Sequence, residues 1–294
     1  MARVLAISSQ VARGHVGLSA IVPTLQRLGH EVTALPTILL SNHPGHARFA
    51  GERVAAALLD RMIAALAPEG SASLAGEVDA ILSGYLPSPE HVAVVEGAVL
   101  AARRERPSLP YLCDPVTGDD PKGLYVPQDV AEAIRDRLLP LATIATPNVF
   151  ELAWMTGRDV GDLGAIAVAA SHLAPATVLV TSARDPAAAE DKLSNLLCVK
   201  AIEGERQDAV YRADVRRRTG VPNGTGDMAS ALLLGHLLAG RAMSEALACT
   251  VGSLETVIGA SLGARELALV ASATAWADAP PAHVQRIRGG LWGG

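Results

Sequence analysis

Cysteine is scarce in this chain, and its cysteines lie far apart. Cys113, Cys198 and Cys249 are the only three in 294 residues, and no Cys-x-x-Cys pair occurs. An odd number of distant cysteines argues against a disulfide framework and against a structural zinc site. We therefore expect a protein of the reducing cytoplasm.

Long apolar runs and a strong charge of either sign are also missing. The N-terminal apolar run ends at Ile7, before two serines, and is too short for a signal peptide. The longest later run, around 229–239, is broken by Gly235 and His236, so no segment requires a membrane. The formal net charge of -5 gives no general attraction for nucleic acid or anionic lipid. We expect neither as a partner.

The common nucleotide-binding motifs do not occur. There is no Gly-x-x-x-x-Gly-Lys-Ser/Thr loop and no Gly-x-Gly-x-x-Gly after the first apolar run, so the P-loop and Rossmann dinucleotide interpretations lack their motifs. The His43-Pro-Gly-His46 sequence has a turn between its histidines and no third ligand nearby. We therefore do not expect a metal there.

The residues that are present favour an alternating α/β fold. The chain is 50% hydrophobic and 19% charged, which allows a large core. Short runs rich in Val, Ile and Leu alternate with segments of helical periodicity, which predicts a mainly parallel sheet with helices. The predicted strands are Val4–Ser8, Val32–Pro36, Ala80–Gly84, Tyr111–Asp114, Ala142–Ala145 and Val178–Thr181. The predicted helices lie near 19–28, 51–66, 90–104, 129–138 and 163–173.

The pattern changes after about residue 196. Two shorter extended stretches, Leu196–Ile202 and Asp208–Val215, precede helices rich in Ala, Leu and Gly. No internal repeat is visible in the sequence. We predict a single domain over residues 1–284 and a Gly-rich C-terminal tail over 285–294.

The clearest chemical motif is Asn223-Gly224-Thr225-Gly226-Asp227, which opens an apolar helix. Unpaired amides at a helix N-terminus attract anions, and glycines let a phosphate approach them. Asp227 would then accept a proton from a substrate hydroxyl while the amides hold the transferred phosphoryl group. The structural alternative is that Asp227 only caps the helix. This segment alone does not decide between the two.

Two further polar segments follow predicted strands, where open α/β sheets bind ligands. The first runs from Asp114 to Asp119 and the second from Thr146 to Glu151. Magnesium on a nucleotide is usually held by one or two carboxylates, water and phosphate oxygens. Suitable ligands, direct or through water, are Asp114, Asp119, Asn148 and Glu151. Each residue has a structural alternative in a turn or at a helix start, but their joint occurrence favours a metal-nucleotide site.

Eight short segments together resemble the pyridoxal kinases of the ribokinase-like superfamily. The similarity runs from Val4 to about Ile258. Each segment is weak alone, whereas their common order is highly specific. The segments are Ser9 with Arg13–Gly17, Ser41–His46, Ser83–Tyr85, Asp114–Asp119, Tyr125–Pro127, Thr146–Glu151, Thr181–Ser182 and Gly224–Asp227.

The resemblance implies a ribokinase-like three-layer α/β/α kinase, typically a homodimer, that uses Mg2+ with ATP. It would phosphorylate the 5'-hydroxyl of pyridoxal, with pyridoxine and pyridoxamine as further candidates, and give pyridoxal 5'-phosphate in vitamin B6 salvage. Asp227 would be the catalytic base, and K+ is an additional candidate cofactor. The implied substrate-binding residues are Ser9, Val16, His43, Pro44, Gly45, Tyr85 and Asp227. The implied ATP-binding residues are Asp114, Asp119, Tyr125, Thr146, Glu151, Thr181, Ser182, Arg212, Ala213, Asp214, Val215, Gly224, Thr225 and Gly226.

Three residues depart from the pattern of this family. Pro44 stands where many members have Thr, which removes a hydroxyl and a backbone donor from the implied ring site. His46 replaces a common Tyr, and Leu18 replaces a common Asn. Two alternatives therefore stay open: a kinase of hydroxymethylpyrimidine or another heteroaromatic alcohol, and a non-catalytic protein that binds pyridoxal phosphate. The intact Asp227 argues against the second.

Overall fold

Strands and helices alternate along the chain. The computed structural model describes residues 1–71, 73–200 and 208–287. The strands are β1 (Arg3–Val11), β2 (Glu31–Leu40), β3 (Gly51–Arg53), β4 (Ala80–Ser83), β5 (Tyr111–Cys113), β6 (Gly118–Asp119), β7 (Gly123–Leu124), β8 (Ile144–Ala145), β9 (Thr177–Ala183), β10 (Lys192–Val199), β11 (Ala209–Arg216) and β12 (Val284–Ile287). The helices are α1 (Leu18–Arg27), α2 (Ala56–Leu66), α3 (Pro89–Glu105), α4 (Gln128–Ala133), α5 (Val149–Thr156), α6 (Leu163–His172), α7 (Thr225–Leu238), α8 (Met243–Ser261) and α9 (Ala273–Ala277).

The central sheet is mainly parallel. Across the described residues it has ten strands in the order β12-β11-β10-β9-β8-β5-β4-β1-β2-β3. The strands from β9 to β2 in this order pair in parallel, whereas antiparallel strands extend both edges. A separate hairpin of β6 and β7 lies outside the sheet. The predicted α/β fold with a mainly parallel sheet is confirmed.

Helices cover both faces of the sheet. Along β1, Val4 and Ala6 face one apolar core, while Leu5 and Ile7 face the other. The first core includes side chains of α1, α7 and α8, and the second includes side chains of α2, α3, α5 and α6. Strands that are buried on both faces have nearly continuous apolar sequences, which is why short apolar runs located them. The fold is a three-layer α/β/α sandwich.

Several boundaries differ from the prediction. The predicted helix 51–66 begins instead with strand β3, which pairs antiparallel with the edge of β2, and the helix itself starts at Ala56. The stretch predicted at Leu196–Ile202 belongs to β10, which begins earlier because it pairs along its length with β9 and β11. Residues 201 and 202 of that prediction lie outside the described residues. Helix α5 has no counterpart among the predicted helices.

The C-terminal segment contributes a strand to the sheet. Strand β12 takes in residues 285–287, which the sequence analysis assigns to the tail, and pairs with β11. Residues 288–294 of the predicted tail lie outside the described residues. In the part of the chain that is described, no helix is both long and apolar enough to span a bilayer.

Candidate active site

Helix α7 begins at a sharp turn, the glycine turn (residues 223–227). Gly224 has a left-handed φ of 103°, and a Cβ added there would lie 1.9 Å from the carbonyl oxygen of His15. Glycine avoids both the strain and the clash. The first intrahelical hydrogen bond runs from the Met228 N–H to the Gly224 carbonyl at 3.0 Å, so the preceding amides have no partner within the helix. A Cβ on Gly226 would meet nothing within 4 Å. The turn therefore has the geometry of an anion site.

Asp227 lies in the first turn of α7, beside these amides. It keeps some solvent exposure, yet burial raises the pKa of its carboxyl to about 6, against the opposing effect of the Gly17 and Asp227 backbone amides. Such a carboxyl is largely ionised at neutral pH and is a stronger base than an ordinary aspartate. Gly17 packs closely on Ser9, because a Cβ there would lie 2.2 Å from the Ser9 carbonyl oxygen. The predicted base thus lies where the first loop (residues 12–17) meets the glycine turn.

A buried serine ties Asp114 to α7. Ser230 donates from Oγ to Oδ2 of Asp114 at 2.8 Å, and the same Oγ lies 2.8 Å from Oγ1 of Thr146. Burial raises the pKa of Asp114 well above its usual range, and the nearby carboxyls of Asp227 and Glu151 raise it further. The neighbouring carboxyls of Asp227 and Glu151 thus disfavour the ionised form of Asp114, and a bound cation would offset this repulsion.

Backbone amides hold the side chains of Glu151 and Asn148. The two residues form a capping box at the start of α5: the Asn148 N–H donates to Oε2 of Glu151 at 3.0 Å, and the Glu151 N–H donates to Oδ1 of Asn148 at 2.9 Å. Oε1 of Glu151 accepts from the Thr117 N–H at 2.7 Å. Nδ2 of Asn148 donates to the Gly118 carbonyl at 2.8 Å. Burial raises the pKa of Glu151 to about 7. The cap of α5 therefore fixes the loop that follows β5.

These residues fit magnesium as part of a nucleotide complex. Within residues 1–71, 73–200 and 208–287, no group of three or more His, Cys, Asp or Glu side chains is arranged to hold a metal ion. Magnesium needs no such group when water and phosphate oxygens complete its coordination. Because the oxygens of Glu151 and Asn148 already accept backbone donors, we expect these two residues to act through water. Asp114 and Asp119 are the candidates for direct contact.

Two residues that are predicted to bind the nucleotide lie on the β6–β7 hairpin and directly after it. Asp119 is exposed on β6, and the Tyr125 N–H donates to the Thr117 carbonyl at 3.0 Å. Although 48% of Tyr125 is exposed, the loss of surrounding water raises the pKa of its phenol, and the carboxyls of Glu151 and Asp114 raise it further. The phenol therefore lies close enough to the buried carboxyls for their charge to act on it.

The substrate-side loop (residues 41–50) follows β2 and reaches the glycine turn. The Gly45 N–H donates to Nδ1 of His43 at 3.0 Å. A Cβ on Gly45 would lie 3.4 Å from Nδ2 of Asn223, and Pro44 is exposed next to it. The predicted ring-binding loop and the predicted phosphate-binding turn are therefore neighbours.

Other predicted substrate residues lie at the ends of β1 and β4 and in the first loop. Val16 is buried, whereas Ser9 and Tyr85 are partly exposed. The Tyr85 N–H donates to Oγ of Ser8 at 3.1 Å, and Oγ1 of Thr37 donates to the Tyr85 carbonyl at 2.8 Å. Two neighbouring strands thus fix the backbone of Tyr85, and burial raises the pKa of its phenol.

Thr181 and Ser182 lie within β9, although the sequence predicts a strand that ends at Thr181. The Thr181 N–H donates to the Pro147 carbonyl at 3.3 Å, and a parallel bridge joins Thr181 to Asn148. Ser182 has a left-handed φ of 59°, which few residues adopt. This end of β9 therefore lies beside the start of α5.

The residues on β11 that are predicted to bind the nucleotide form ion pairs or pack in the core. Arg212 pairs with Asp185 at 2.9 Å and with Asp214 at 2.5 Å. Ala213 is fully buried in a core cluster, and Val215 packs against the same cluster. In the sheet, β10 and β9 separate β11 from β8. The structure does not bring these side chains to the buried carboxyls.

Ser230 and the backbone of Gly17 contribute to the site, although the sequence does not predict their roles. Ser230 follows Asp227 by three residues, so the two lie on the same face of α7, and that spacing could have indicated its role. The approach of Gly17 to Asp227 joins the first loop to a helix near the other end of the chain. No local pattern specifies such a contact.

Known proteins resemble this chain over most of its length. A family model described as phosphomethylpyrimidine kinase matches residues 24–266. Pyridoxal kinase PdxY of Rubrobacter xylanophilus is 38% identical over 92% of this chain and 91% of its own length. Human pyridoxal kinase is 34% identical over 79% of this chain and 76% of its own length.

Solved structures of pyridoxal kinases have the same fold as this chain. Pyridoxal kinase of Leishmania donovani in complex with ADP and ginkgotoxin has a TM-score of 0.89 and 29% identity, covering 98% of this chain and 100% of that chain. The complex of the Leishmania donovani enzyme with ADP and pyridoxamine has a TM-score of 0.87 and 28% identity over the same shares. The chain therefore belongs to the phosphomethylpyrimidine kinase family and, within it, to the pyridoxal kinases of the ribokinase-like superfamily.

Proposed function

We propose that this chain transfers the γ-phosphoryl group of ATP to the 5'-hydroxyl of pyridoxal, giving pyridoxal 5'-phosphate in vitamin B6 salvage. The human and Rubrobacter xylanophilus relatives are named pyridoxal kinases, and the Leishmania donovani neighbour is a complex with ADP and pyridoxamine. In this chain, the observation that carries the proposal is the carboxyl of Asp227 beside the amides that open α7.

In the proposed reaction, Asp227 accepts the proton of the 5'-hydroxyl. The hydroxyl oxygen forms a bond to the γ-phosphorus while the bond between that phosphorus and the β–γ bridging oxygen breaks, and ADP leaves. The amides of Thr225 and Gly226 face the negative charge on the transferred group. Bound magnesium would neutralise charge on the nucleotide phosphates, held directly by Asp114 and Asp119 and through water by Asn148 and Glu151.

The remaining predicted residues bind the two substrates in this proposal. The pyridine ring contacts Ser9, Val16, His43, Pro44, Gly45 and Tyr85. The nucleotide is surrounded by Asp114, Asp119, Tyr125, Thr146, Glu151, Thr181, Ser182, the glycine turn at Gly224, Thr225 and Gly226, and residues 212–215 of β11. A bound K+ is proposed from the family resemblance alone.

An ADP-release assay with the purified protein tests the proposal. The acceptors are pyridoxal, pyridoxine, pyridoxamine and hydroxymethylpyrimidine, and Asp227→Asn is the control. We expect the highest kcat/KM with a B6 vitamer, and formation of pyridoxal 5'-phosphate from pyridoxal. Turnover of hydroxymethylpyrimidine alone would assign the chain to that kinase activity. Binding of pyridoxal 5'-phosphate without turnover of any alcohol would make it a binding protein.

We also propose that the chain forms a homodimer in the cytoplasm. Apolar side chains are exposed on β2, before β3 and on α2: Leu39, Phe49, Leu58 and Leu66 are 50, 54, 42 and 41% exposed. Exposed apolar side chains that lie close together often mark an interface. The cysteines are free, as expected in a reducing compartment. Light scattering should give about twice the 30.3 kDa mass of one chain, and a single-chain mass at micromolar concentration would contradict the dimer.

A further inference from the structure

Glu266 lies on an anchored segment that follows α8. Within this segment, the Ala268 N–H donates to Oγ of Ser261 at 2.9 Å. The Leu269 carbonyl accepts from Nε1 of Trp276 at 2.8 Å, and Leu269 and Trp276 are each only 1% exposed. The backbone next to Glu266 is therefore fixed to the body of the protein.

The carboxylate of Glu266 contacts two loops of the candidate active site. Its Oε1 lies 2.8 Å from Nε2 of His46, on the substrate-side loop. A Cβ on Gly14, in the first loop, would lie 2.3 Å from Oε2, so the carboxylate packs directly on that glycine. Oε1 is buried, and the 2.8 Å contact puts a nitrogen of the imidazole directly against it. When that imidazole is protonated, it compensates the charge of the carboxylate.

The next residue, Leu267, contacts the glycine turn. Its Cδ1 would lie 3.2 Å from a Cβ on Gly224, and Leu267 is 2% exposed. Two consecutive residues of one anchored segment thus touch the first loop, the substrate-side loop and the glycine turn.

The tip of the substrate-side loop is held mainly by bonds within the loop. At its base, the Arg13 N–H donates to the Ser41 carbonyl at 3.0 Å. Towards the tip, Nδ2 of Asn42 donates to the Arg48 carbonyl at 2.9 Å. Such internal bonds fix the shape of the loop but not its position relative to the glycine turn. The ion pair of His46 joins the tip to the body of the protein.

We propose that Glu266 is a positioning residue that, through His46, holds the substrate-side loop next to the glycine turn. The inference rests on the proposed function, because this loop carries His43 and Gly45 of the proposed pyridine site. Without the contact between Glu266 and His46, the loop would spend less time next to the glycine turn, and the apparent affinity for pyridoxal would fall in proportion.

Steady-state kinetics of Glu266→Gln test the proposal. Glutamine keeps the size of the side chain and removes its charge. We expect KM for pyridoxal to rise about two- to fivefold, the usual range for a partly exposed ion pair, while kcat and KM for ATP stay unchanged. His46→Gln should give a similar rise, and the double variant should be no worse than the worse single variant, because both remove one interaction.

Glu96→Gln is the matched control. Glu96, on α3, pairs with Arg137, and the side-chain exposures of 26% and 39% resemble the 24% and 27% of Glu266 and His46. This control should leave all kinetic constants unchanged. Equal rises of KM for pyridoxal and ATP in Glu266→Gln, or additive effects of the two single variants, would overturn the proposal.

Limited proteolysis provides a measurement that needs no turnover. Arg48 is exposed on the substrate-side loop, so trypsin cleavage after it, identified by mass spectrometry, reports how often the loop opens. We expect initial cleavage about two- to fivefold faster in Glu266→Gln and unchanged in Glu96→Gln. Faster cleavage in a protein that does not phosphorylate pyridoxal would support the positioning role and reject the proposed function. Unchanged cleavage together with unchanged KM would overturn the positioning role.

Discussion

The glycine turn and the substrate-side loop are neighbours, but they are held in different ways. Behind the turn, Ser230 joins Asp114 to Thr146, and Glu151 accepts backbone hydrogen bonds; each of these side chains is at least nine-tenths buried. The substrate-side loop is exposed at most positions, and its tip joins the body of the protein through the ion pair of His46.

Because of this difference, we expect the buried groups to determine the rate of phosphoryl transfer and the exposed loop to determine which acceptor binds. Phosphoryl transfer needs donors and carboxylates that are already in place before the substrate arrives, and burial with full hydrogen bonding fixes them. An exposed loop can exchange residues such as Pro44 and His46 without disturbing that arrangement. Variants behind the glycine turn should therefore lose turnover, whereas variants of the loop should change acceptor affinity.

The largest effect is expected at the predicted base. Asp227→Asn keeps the size of the side chain but cannot accept the hydroxyl proton, so kcat should fall roughly 10²- to 10⁴-fold. Binding of ATP, measured by calorimetry, and the unfolding temperature should stay close to those of the wild type. Turnover within a few-fold of the wild type would remove Asp227 from the mechanism.

The next largest effect is expected at Glu151, which is one of the buried side chains behind the glycine turn. In Glu151→Gln the charge that would orient hydrated magnesium is lost, so the magnesium concentration for half-maximal activity should rise about tenfold or more. KM for pyridoxal should change little, because the substrate-side loop is separate from α5. A magnesium titration beside Glu96→Gln checks this, and identical curves for the two variants would contradict the assignment.

The pH dependence of kcat/KM tests whether Asp227 acts as its carboxylate. Burial raises its pKa to about 6, and the ionised form is the active base. Activity should therefore be nearly constant above neutral pH and should fall about tenfold per pH unit below that pKa, as the carboxylate is protonated. Rates are measured at saturating magnesium, with tryptophan fluorescence to exclude acid unfolding. A profile that stays flat well below the pKa would show that another group is the base.

The smallest effect is expected on the exposed loop. Pro44→Thr restores the hydroxyl that is common in the family, and one neutral hydrogen bond is worth about 0.5 to 1.5 kcal/mol. KM for pyridoxal should shift by no more than about tenfold, and loss of the rigid proline would offset part of this. KM for ATP should not change. A change of KM for ATP alone, or no change of KM for any B6 vitamer, would show that the loop does not contact the pyridine ring.

The sequence predicts best what depends on local pattern. The buried strands β1, β4 and β5 follow from short apolar runs, because both of their faces meet a core. Strand β3 could not be predicted in this way, since it exists through pairing with the edge of β2. In the site, the motif of Gly224 to Asp227 is visible in the sequence, whereas the contact of Glu266 with His46 joins distant segments that only the fold brings together.

The burial of Cys113 has a consequence for the chemical handling of this enzyme. Cys113 ends β5 immediately before Asp114 and is 1% exposed, and burial raises the pKa of its thiol to about 12. Because the thiolate is the form that alkylating agents and peroxides attack, this thiol is inert while the sheet is intact. An adduct found on Cys113 would therefore record that the molecule had opened.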